Sequence, residues 1–467
     1  MLERNVDFVL VGKSYFSLLL GLELLDQGQK VLLLDDDRLS YGDLYSHGIG
    51  ELELSLLKGW GEDRAISPLA KIDDFVKGSP LVFHSNYKRL CLGSSPSENL
   101  IEFTRKFADY FSEQEYEVLI GCINSEEKRA SFDEQILGMA KRLGLNGFRF
   151  RGVQNFDTQF FQGQATEDVK DLYNVFKSKW TFETVESDNA LKVFLNNYSL
   201  FLHKTFGVRF GDYQIFHGLL SILTPSYELD QNSLCQSLLT VFQRKGGQFK
   251  KTHVREWKFY KGAPWSLELA SFEGIIHPRK IIFLGGDPVN VPFKLGKDSP
   301  FYKMMNVDIE FNFSTEDSSL KALSSNLQFL SKSKMLGTDH FIFSLHKISE
   351  NQVSLKMLIR NKKGFKIDFI KDSLIEFIVA ELDKYFPIVK WSSAEYDFSW
   401  GRELYVDRSL NYKNTGVPLF QKVSIFEKSG PQAGQSLKNV YYIGPLREGP
   451  LGVTSCLLEI KDGHQFI

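Results

Sequence analysis

The segment FVLVGKSYFSLLLGLELLDQGQKVLLLD, residues 8–35, decides the fold class of this chain. It opens with the apolar run Phe8–Val11, continues after Gly12 with leucines at helical spacing, and closes with the apolar run Val31–Leu34. Uninterrupted apolar runs are typical of strands in a parallel sheet that is covered on both faces. The segment therefore predicts a strand, a helix over 14–27 and a second strand, which is the repeating unit of an α/β fold.

The spacing inside this unit predicts a nucleotide site. In a dinucleotide-binding βαβ unit, glycines at offsets zero, two and five form the turn and let the backbone approach the pyrophosphate, and an acid about twenty residues on binds the ribose. Gly12, Ser14, Ser17 and Asp35 hold these positions here. The alternative interpretation is an ordinary βαβ crossover that binds no nucleotide.

Two other motifs that contain glycine and serine are excluded at Gly12-Lys13-Ser14. A Walker phosphate loop needs glycine five residues before Gly12, where the chain has Asp7. A nucleophile elbow needs glycine two residues after Ser14, where the chain has Phe16. The dinucleotide frame is therefore the motif that the spacing supports.

A second strand, loop and helix lie near residue 450. Residues 439–444 predict a buried strand, the loop that follows contains Gly449 and Gly452, and 454–460 has helical spacing. A loop that leads into a helix presents N–H groups that favour an electron-rich oxygen. This segment is therefore a second candidate for ligand contact.

A third segment, in the middle of the chain, fits the same scheme. Ser233–Lys245 predicts a helix that ends at Gly246-Gly247, and strands are expected over 254–259 and 265–269. The apolar run 280–284 predicts a further buried strand. Taken by itself, this segment indicates more α/β core.

Together these segments resemble the flavoprotein superfamily that includes phytoene desaturases, monoamine oxidases and protoporphyrinogen oxidases. The resemblance implies a Rossmann-like FAD-binding domain with FAD as the cofactor. The cofactor-binding residues that it implies are Gly12, Ser14 and Ser17 at the pyrophosphate, with Tyr15 in the same loop, and Asp35 at the ribose, followed by Arg38. Val254 is implied at the adenine, Gly444 at the ribityl phosphate region, and Gly452 and Val453 at the pyrimidine edge of the flavin.

The resemblance also implies how the chain is divided. We expect a discontinuous FAD/NAD(P)-binding-like domain assembled from 1–84, 215–300 and 425–467. A second, α+β substrate domain is then expected from 85–214 and 301–424.

Two functions follow from this resemblance. The first is an FAD-dependent oxidoreductase that removes hydride from an apolar or amine-containing small molecule, with a lipophilic substrate as partner. The second is a flavin-free binding or escort-type protein on the same scaffold, because Asp37–Gly42 is similar to the Asp-Arg-x-x-Tyr stretch of the GDP dissociation inhibitor branch. No catalytic residue is identified; His47 is either an acid or base near the crevice or a surface loop histidine.

Ser14 separates these two functions. Its side chain either fills space that a pyrophosphate needs or donates its hydroxyl to a bound phosphate, and we expect the second.

Composition excludes several other classes of protein. The net charge is −2, from 56 basic and 58 acidic residues, and no basic run is long enough to follow a nucleic-acid backbone. The four cysteines are dispersed without metal-ligand spacing, which favours a reducing compartment and no metal. The first residues lack signal-peptide features, and no apolar run reaches the roughly 18 residues of a membrane span.

We therefore expect a cytoplasmic protein, and a peripheral contact with a membrane surface stays open. The 40 phenylalanines indicate either a coding preference for Phe in the core or an aromatic pocket for a lipophilic ligand.

Overall fold

The structure is a computed structural model that describes residues 5–36, 48–78, 80–85, 88–146, 165–179, 219–220, 222–270, 275–284, 293–295, 301–314, 320, 323, 326–333, 338–360, 371–407, 425–427 and 436–443. The helices are α1 Tyr15–Asp26, α2 Glu51–Asp63, α3 Ser67–Ala70, α4 Pro96–Lys106, α5 Glu113–Gly121, α6 Glu126–Asn146, α7 Glu167–Lys179, α8 Gln231–Arg244 and α9 Lys371–Tyr385. The strands are β1 Asn5–Val11, β2 Val31–Asp35, β3 Gly48–Gly50, β4 Val76–Gly78, β5 Leu81–Ser85, β6 Lys88–Leu92, β7 Ser226–Leu229, β8 Gln248–Lys251, β9 Val254–Tyr260, β10 Ala263–Leu269, β11 Ile275–Leu284, β12 Phe293–Leu295, β13 Phe301–Ser314, β14 Asn326–Ser333, β15 Thr338–Ser349, β16 Gln352–Arg360, β17 Glu395–Asp407, β18 Ile425–Glu427, β19 Ser436–Leu437 and β20 Val440–Ile443.

The first sheet confirms the α/β class. Its parallel part runs β8-β2-β1-β11-β20, so that the predicted strand, helix and strand at 8–35 form one crossover unit with β1 and β2 side by side. Val9 pairs with Leu32 on one side and with Ile281 on the other. Both runs are fully buried, which explains why they contain no polar residue.

Strand β11 of this sheet pairs with different strands at its two ends. The first residues of β11 pair with β10 in antiparallel fashion, and β10 forms a hairpin with β9. The last four residues of β11 pair with β20 in parallel fashion, while β1 lies along the opposite side.

A second seven-stranded sheet follows the order β17-β13-β16-β15-β14-β5-β6. All of its pairs are antiparallel except β14 with β5. Helix α9 packs against it through Leu374, Ile378 and Leu382, and the Trp391 ring meets Phe313 edge-on at 6.1 Å. Strands followed by a covering helix fit the predicted α+β region.

A layer of helices shares one hydrophobic core with α1. Buried residues of α2 and of α4 to α8 join the leucines of α1 in this core. Phe103 of α4 stacks on Phe176 of α7 with ring centroids 5.0 Å apart and lies 5.1 Å from Phe107. These phenylalanines serve packing within the core.

Helix α5 begins with a reciprocal cap that also binds α7. The Ser112 N–H donates to Glu115 Oε2 over 2.7 Å, and the Glu115 N–H donates to Ser112 Oγ over 3.3 Å. Lys179 Nζ lies 2.6 Å from the same carboxylate. Burial acts to raise the pKa of Glu115, but the bonds from Lys179 and Ser112 outweigh it, so the pKa is lowered overall.

Within the ranges given above, no helix is both long and apolar enough to cross a membrane. The division of the chain into two discontinuous domains stays a prediction.

Candidate functional site

The candidate site lies where β1, β2, β11 and β20 end. The chain leaves β1 through α1 toward β2 on one side, and β11 occupies the other side of β1. Ligands of open α/β sheets bind at such a switch point, beyond the carboxyl ends of the strands. Because β20 is separated from β1 only by β11, the two predicted ligand-contacting segments begin about 10 Å apart on one edge.

Gly12 forms the turn from β1 into α1. Its φ angle is +108°, a conformation that L side chains rarely adopt, and its N–H donates to the Leu34 carbonyl over 2.9 Å. The turn is therefore fixed to the end of β2. The glycine that the spacing places at this point is required by the backbone.

Ser14 and Ser17 cap α1 reciprocally. Ser14 is the N-cap residue; its N–H donates to Ser17 Oγ over 2.8 Å, and the Ser17 N–H donates to Ser14 Oγ over 3.1 Å. The Ser17 hydroxyl in turn donates to the Ser14 carbonyl over 2.8 Å. The two serines that replace glycines therefore bind each other, and Ser17 is fully buried.

Two neighbours of Ser14 complete the start of α1. Tyr15 is buried in the hydrophobic core, and its ring lies 4.0 Å from the Phe16 ring. Lys13, which the sequence analysis did not select, extends its ammonium group over the Phe249 ring of β8 at 5.7 Å. The first turn of α1 has no acidic residue, so this end of the helix is electropositive.

Two consecutive acids follow β2 and have different surroundings. Asp35 is half-buried, and its carbonyl accepts from the Thr252 N–H over 3.1 Å. Asp36 is only 2% exposed, and its Oδ2 accepts a hydrogen bond from the Val254 N–H over 3.3 Å. Spacing and resemblance assign Asp35 and Val254 to the nucleotide, and neither assigns a role to Asp36.

The alternation of side chains between the two faces of β2 is the sequence signal that points to Asp36 as the partner of Val254. Successive side chains of an extended segment point to opposite faces. Leu32 and Leu34 pack in the same hydrophobic cluster as Val254, whereas Leu33 packs in the cluster of α1. If the same alternation continues through the next two residues, the Asp36 side chain points toward Val254 and the Asp35 side chain points away from it.

These contacts test whether the described residues fit FAD. The resemblance assigns the N-terminal loop to the pyrophosphate and the Val254 backbone to the adenine. The Ser14 N–H is already bonded to Ser17, and the Val254 N–H is already bonded to Asp36. A nucleotide bound through these two N–H groups requires both bonds to break, so the described arrangement does not offer FAD the contacts that the resemblance implies at Ser14 and Val254.

Several predicted residues lie outside the described part of the chain. They are Arg38, His47, Gly444, Gly452 and Val453. Strand β20 ends at Ile443 on the same edge as Gly12, which is where the predicted closing strand was expected. Among the residues that the structure describes, no group of three or more His, Cys, Asp or Glu side chains could hold a metal ion.

A buried acid and a tyrosine form a separate polar contact. The Tyr227 hydroxyl of β7 donates to Glu51 Oε2, at the start of α2, over 2.8 Å. Burial raises the pKa of Tyr227, and its bond to the Glu51 carboxylate adds to this effect. Tyr227 therefore stays protonated at neutral pH and joins the β3-β7-β4 sheet to α2.

Comparison with known proteins gives matches among solved structures. No family model and no curated protein matches the sequence. A Rab GDI from Plasmodium falciparum is similar over 99% of this chain and 98% of its own, with 10% identity and a TM-score of 0.49. A peptidyl tryptophan dihydroxylase is similar over 99% and 67% of the two chains, with 9% identity and a TM-score of 0.45. A flavin-dependent brominase is similar over 99% and 78%, with 11% identity and a TM-score of 0.42.

Proposed function

We propose that this chain is a flavin-free binding protein of escort type, built on a dinucleotide-binding scaffold. The observation that carries the proposal is the reciprocal cap between Ser14 and Ser17 at the start of α1. A pyrophosphate binds at a helix start through backbone N–H groups that have no other partner. Here the protein satisfies two of those groups with its own hydroxyl oxygens.

The contact of Asp36 supports the same conclusion at the other end of the predicted nucleotide. A buried carboxylate that accepts a backbone N–H forms a charge-assisted bond, which is stronger than a neutral one. Adenine carries no charge and gains less from the Val254 N–H than Asp36 does. Under this proposal, the buried carboxylate takes the Val254 N–H that the resemblance assigns to the adenine.

An FAD-dependent oxidoreductase of the phytoene desaturase and amine oxidase type is the second candidate. It is favoured by the Gly12 turn, by Lys13 beside an electropositive helix start, and by Asp35 at the end of β2. This function removes hydride from an apolar or amine-containing small molecule. It requires the Ser14–Ser17 and Asp36–Val254 bonds to open.

The visible absorption spectrum of the purified protein, followed by titration with FAD, distinguishes the two functions. We expect a colourless protein that shows no saturable binding of FAD. Flavin bands in stoichiometric amount, or tight binding of added FAD, would establish the second candidate.

Asp35→Ala is the matched variant for this titration. If the wild-type protein binds FAD, loss of this carboxylate removes hydrogen bonds to the ribose worth about 1.5 to 3 kcal/mol. The affinity should then fall by roughly tenfold to over a hundredfold.

A further inference from the structure

An exposed aromatic surface lies on the β9–β10 hairpin and the start of β11. We call it the hairpin patch and define it by Tyr260, Lys261, Trp265 and His277. Tyr260 is 56% exposed and Trp265 is 57% exposed, and their ring centroids lie 5.8 Å apart. The His277 ring meets the Trp265 ring edge-on at 6.0 Å, and its Nδ1 lies 2.8 Å from the Trp265 carbonyl oxygen.

The hairpin holds aromatic residues on both faces, and among the residues that the structure describes one face packs on the core while Tyr260 and Trp265 on the other are more than half exposed. Trp257 and Phe259 pack against the core of the first sheet, with the Trp257 ring 5.1 Å from Phe283. The pairing of β9 with β10 shifts register at Trp265, between its two neighbours. Bulges of this kind redirect a side chain, and here the indole is on the open face.

The tip of the hairpin is positively charged. Lys261 extends over the Tyr260 ring at 5.4 Å, and the Lys438 N–H donates to the Gly262 carbonyl, which brings a second lysine to the tip. Neither lysine forms an ion pair within the described residues.

The other cations of the hairpin are compensated. Lys258 lies 3.0 Å from Glu256, and Arg255 lies 3.8 Å from Glu268. The excess positive charge is therefore concentrated beside the exposed rings.

We propose that the hairpin patch binds an anionic lipid surface. Trp and Tyr rings favour the boundary between headgroups and acyl chains, because each has an apolar body and a polar atom. Lysines beside them gain from the negative surface of an anionic leaflet, and their stems extend along the apolar layer. The patch combines these two features on one exposed surface of the hairpin. The proposal is independent of whether the protein binds flavin.

Vesicle sedimentation with the full chain tests this proposal. The probes are vesicles of phosphatidylcholine alone and of phosphatidylcholine mixed with phosphatidylserine. We expect binding to the mixed vesicles and its loss at high salt, because salt screens exposed charges. Loss of one lysine should weaken binding about fivefold, which corresponds to about 1 kcal/mol per charge near the surface.

The variants for this assay are Trp265→Ala and Lys261→Ala. Their matched controls are Tyr116→Ala, an aromatic residue that is 40% exposed on α5, and Lys141→Ala, an exposed lysine on α6. We expect the patch variants to bind more weakly than the wild-type protein and the controls to bind equally well. Failure of the wild-type protein to bind the mixed vesicles, or equal binding by patch variants and controls, would overturn the proposal.

Self-association is measured in parallel by sedimentation velocity without lipid. A dimer that forms with rising protein concentration and is broken by Trp265→Ala would assign the patch to a second copy of the chain. That outcome also overturns the lipid proposal. A monomer, together with binding to mixed vesicles, supports it.

Discussion

If the protein closes its nucleotide site as we propose, three substitutions should open that site. Ser17→Ala removes the hydroxyl that accepts from the Ser14 N–H. Because the Ser14 hydroxyl is bonded to Ser17, we now propose that it fills space instead of donating to a phosphate as the sequence led us to expect, and Ser14→Gly removes this side chain. Asp36→Ala releases the Val254 N–H. Ser14 has a φ angle of −152°, so its replacement by glycine relieves no backbone strain, and an N-cap glycine costs only a few tenths of a kcal/mol.

The expected gain follows from the bonds that a ligand no longer has to displace. The neutral bond from the Ser14 N–H contributes about 0.5 to 1.5 kcal/mol. The bond from the Val254 N–H to a carboxylate belongs to a class worth about 1.5 to 3 kcal/mol, and its length of 3.3 Å places it near the lower limit. Together they give about 2 to 3 kcal/mol, or roughly 30- to 150-fold in affinity.

Isothermal titration with ADP and with FAD measures this gain. ADP carries the pyrophosphate and adenosine without the flavin, so it reports on the predicted contacts alone. The control is Ser112→Gly combined with Glu115→Ala, which opens the reciprocal cap of α5 away from the site. If the triple variant binds ADP and FAD no more tightly than the wild-type protein and this control do, the reasoning is refuted. It is also refuted if the wild-type protein purifies with bound flavin.

Three further predictions concern stability and reactivity. Ser17→Ala should lower the free energy of unfolding, measured in urea, by about 1 to 3 kcal/mol because two buried hydrogen bonds are lost. Ser233 is an exposed serine at the same position of α8, so Ser233→Ala should lower the free energy of unfolding by less, and equal losses would contradict this. The folded state lowers the pKa of Glu115, so its contribution to stability is present at neutral pH and is lost as the pH falls through that lowered pKa. The unfolding free energies of the wild-type protein and Glu115→Gln should therefore differ at pH 7 and converge in acid, and a difference that does not depend on pH would contradict this. Burial raises the pKa of the Cys122 thiol to about 11, so iodoacetamide should label it more slowly than the exposed Cys91 in mass-spectrometric peptide mapping, and equal rates would contradict its burial.

The sequence predicted the first crossover unit because its signal is local. Two uninterrupted apolar runs, a helical leucine pattern and a turn glycine lie within 8–35, and each element constrains the next. The helix predicted over Ser233–Lys245 is also confirmed, as α8, with a shift of two residues at its start and one at its end.

The Ser14–Ser17 and Asp36–Val254 contacts at the candidate site were harder to predict. Spacing assigned Ser14 and Ser17 to the pyrophosphate, whereas their mutual bonds depend on the side-chain rotamers of the first helical turn. Asp36 is 218 positions from Val254 along the chain, and no periodic pattern reports a pairing over such a distance. The register between β2 and β8 brings Asp36 and Val254 together, and no local sequence pattern determines that register.

The two-sided pairing of β11 has a consequence for synthesis on the ribosome. Its final four residues have no partner on one side until β20 is translated, about 150 residues later. At 5 to 20 residues per second, this delay is about 8 to 30 s. During that interval an apolar strand edge, Ile281–Leu284, is open to pairing with other nascent chains. We therefore expect slow codons between these strands to increase aggregation during expression, and chaperones that bind extended apolar segments to reduce it.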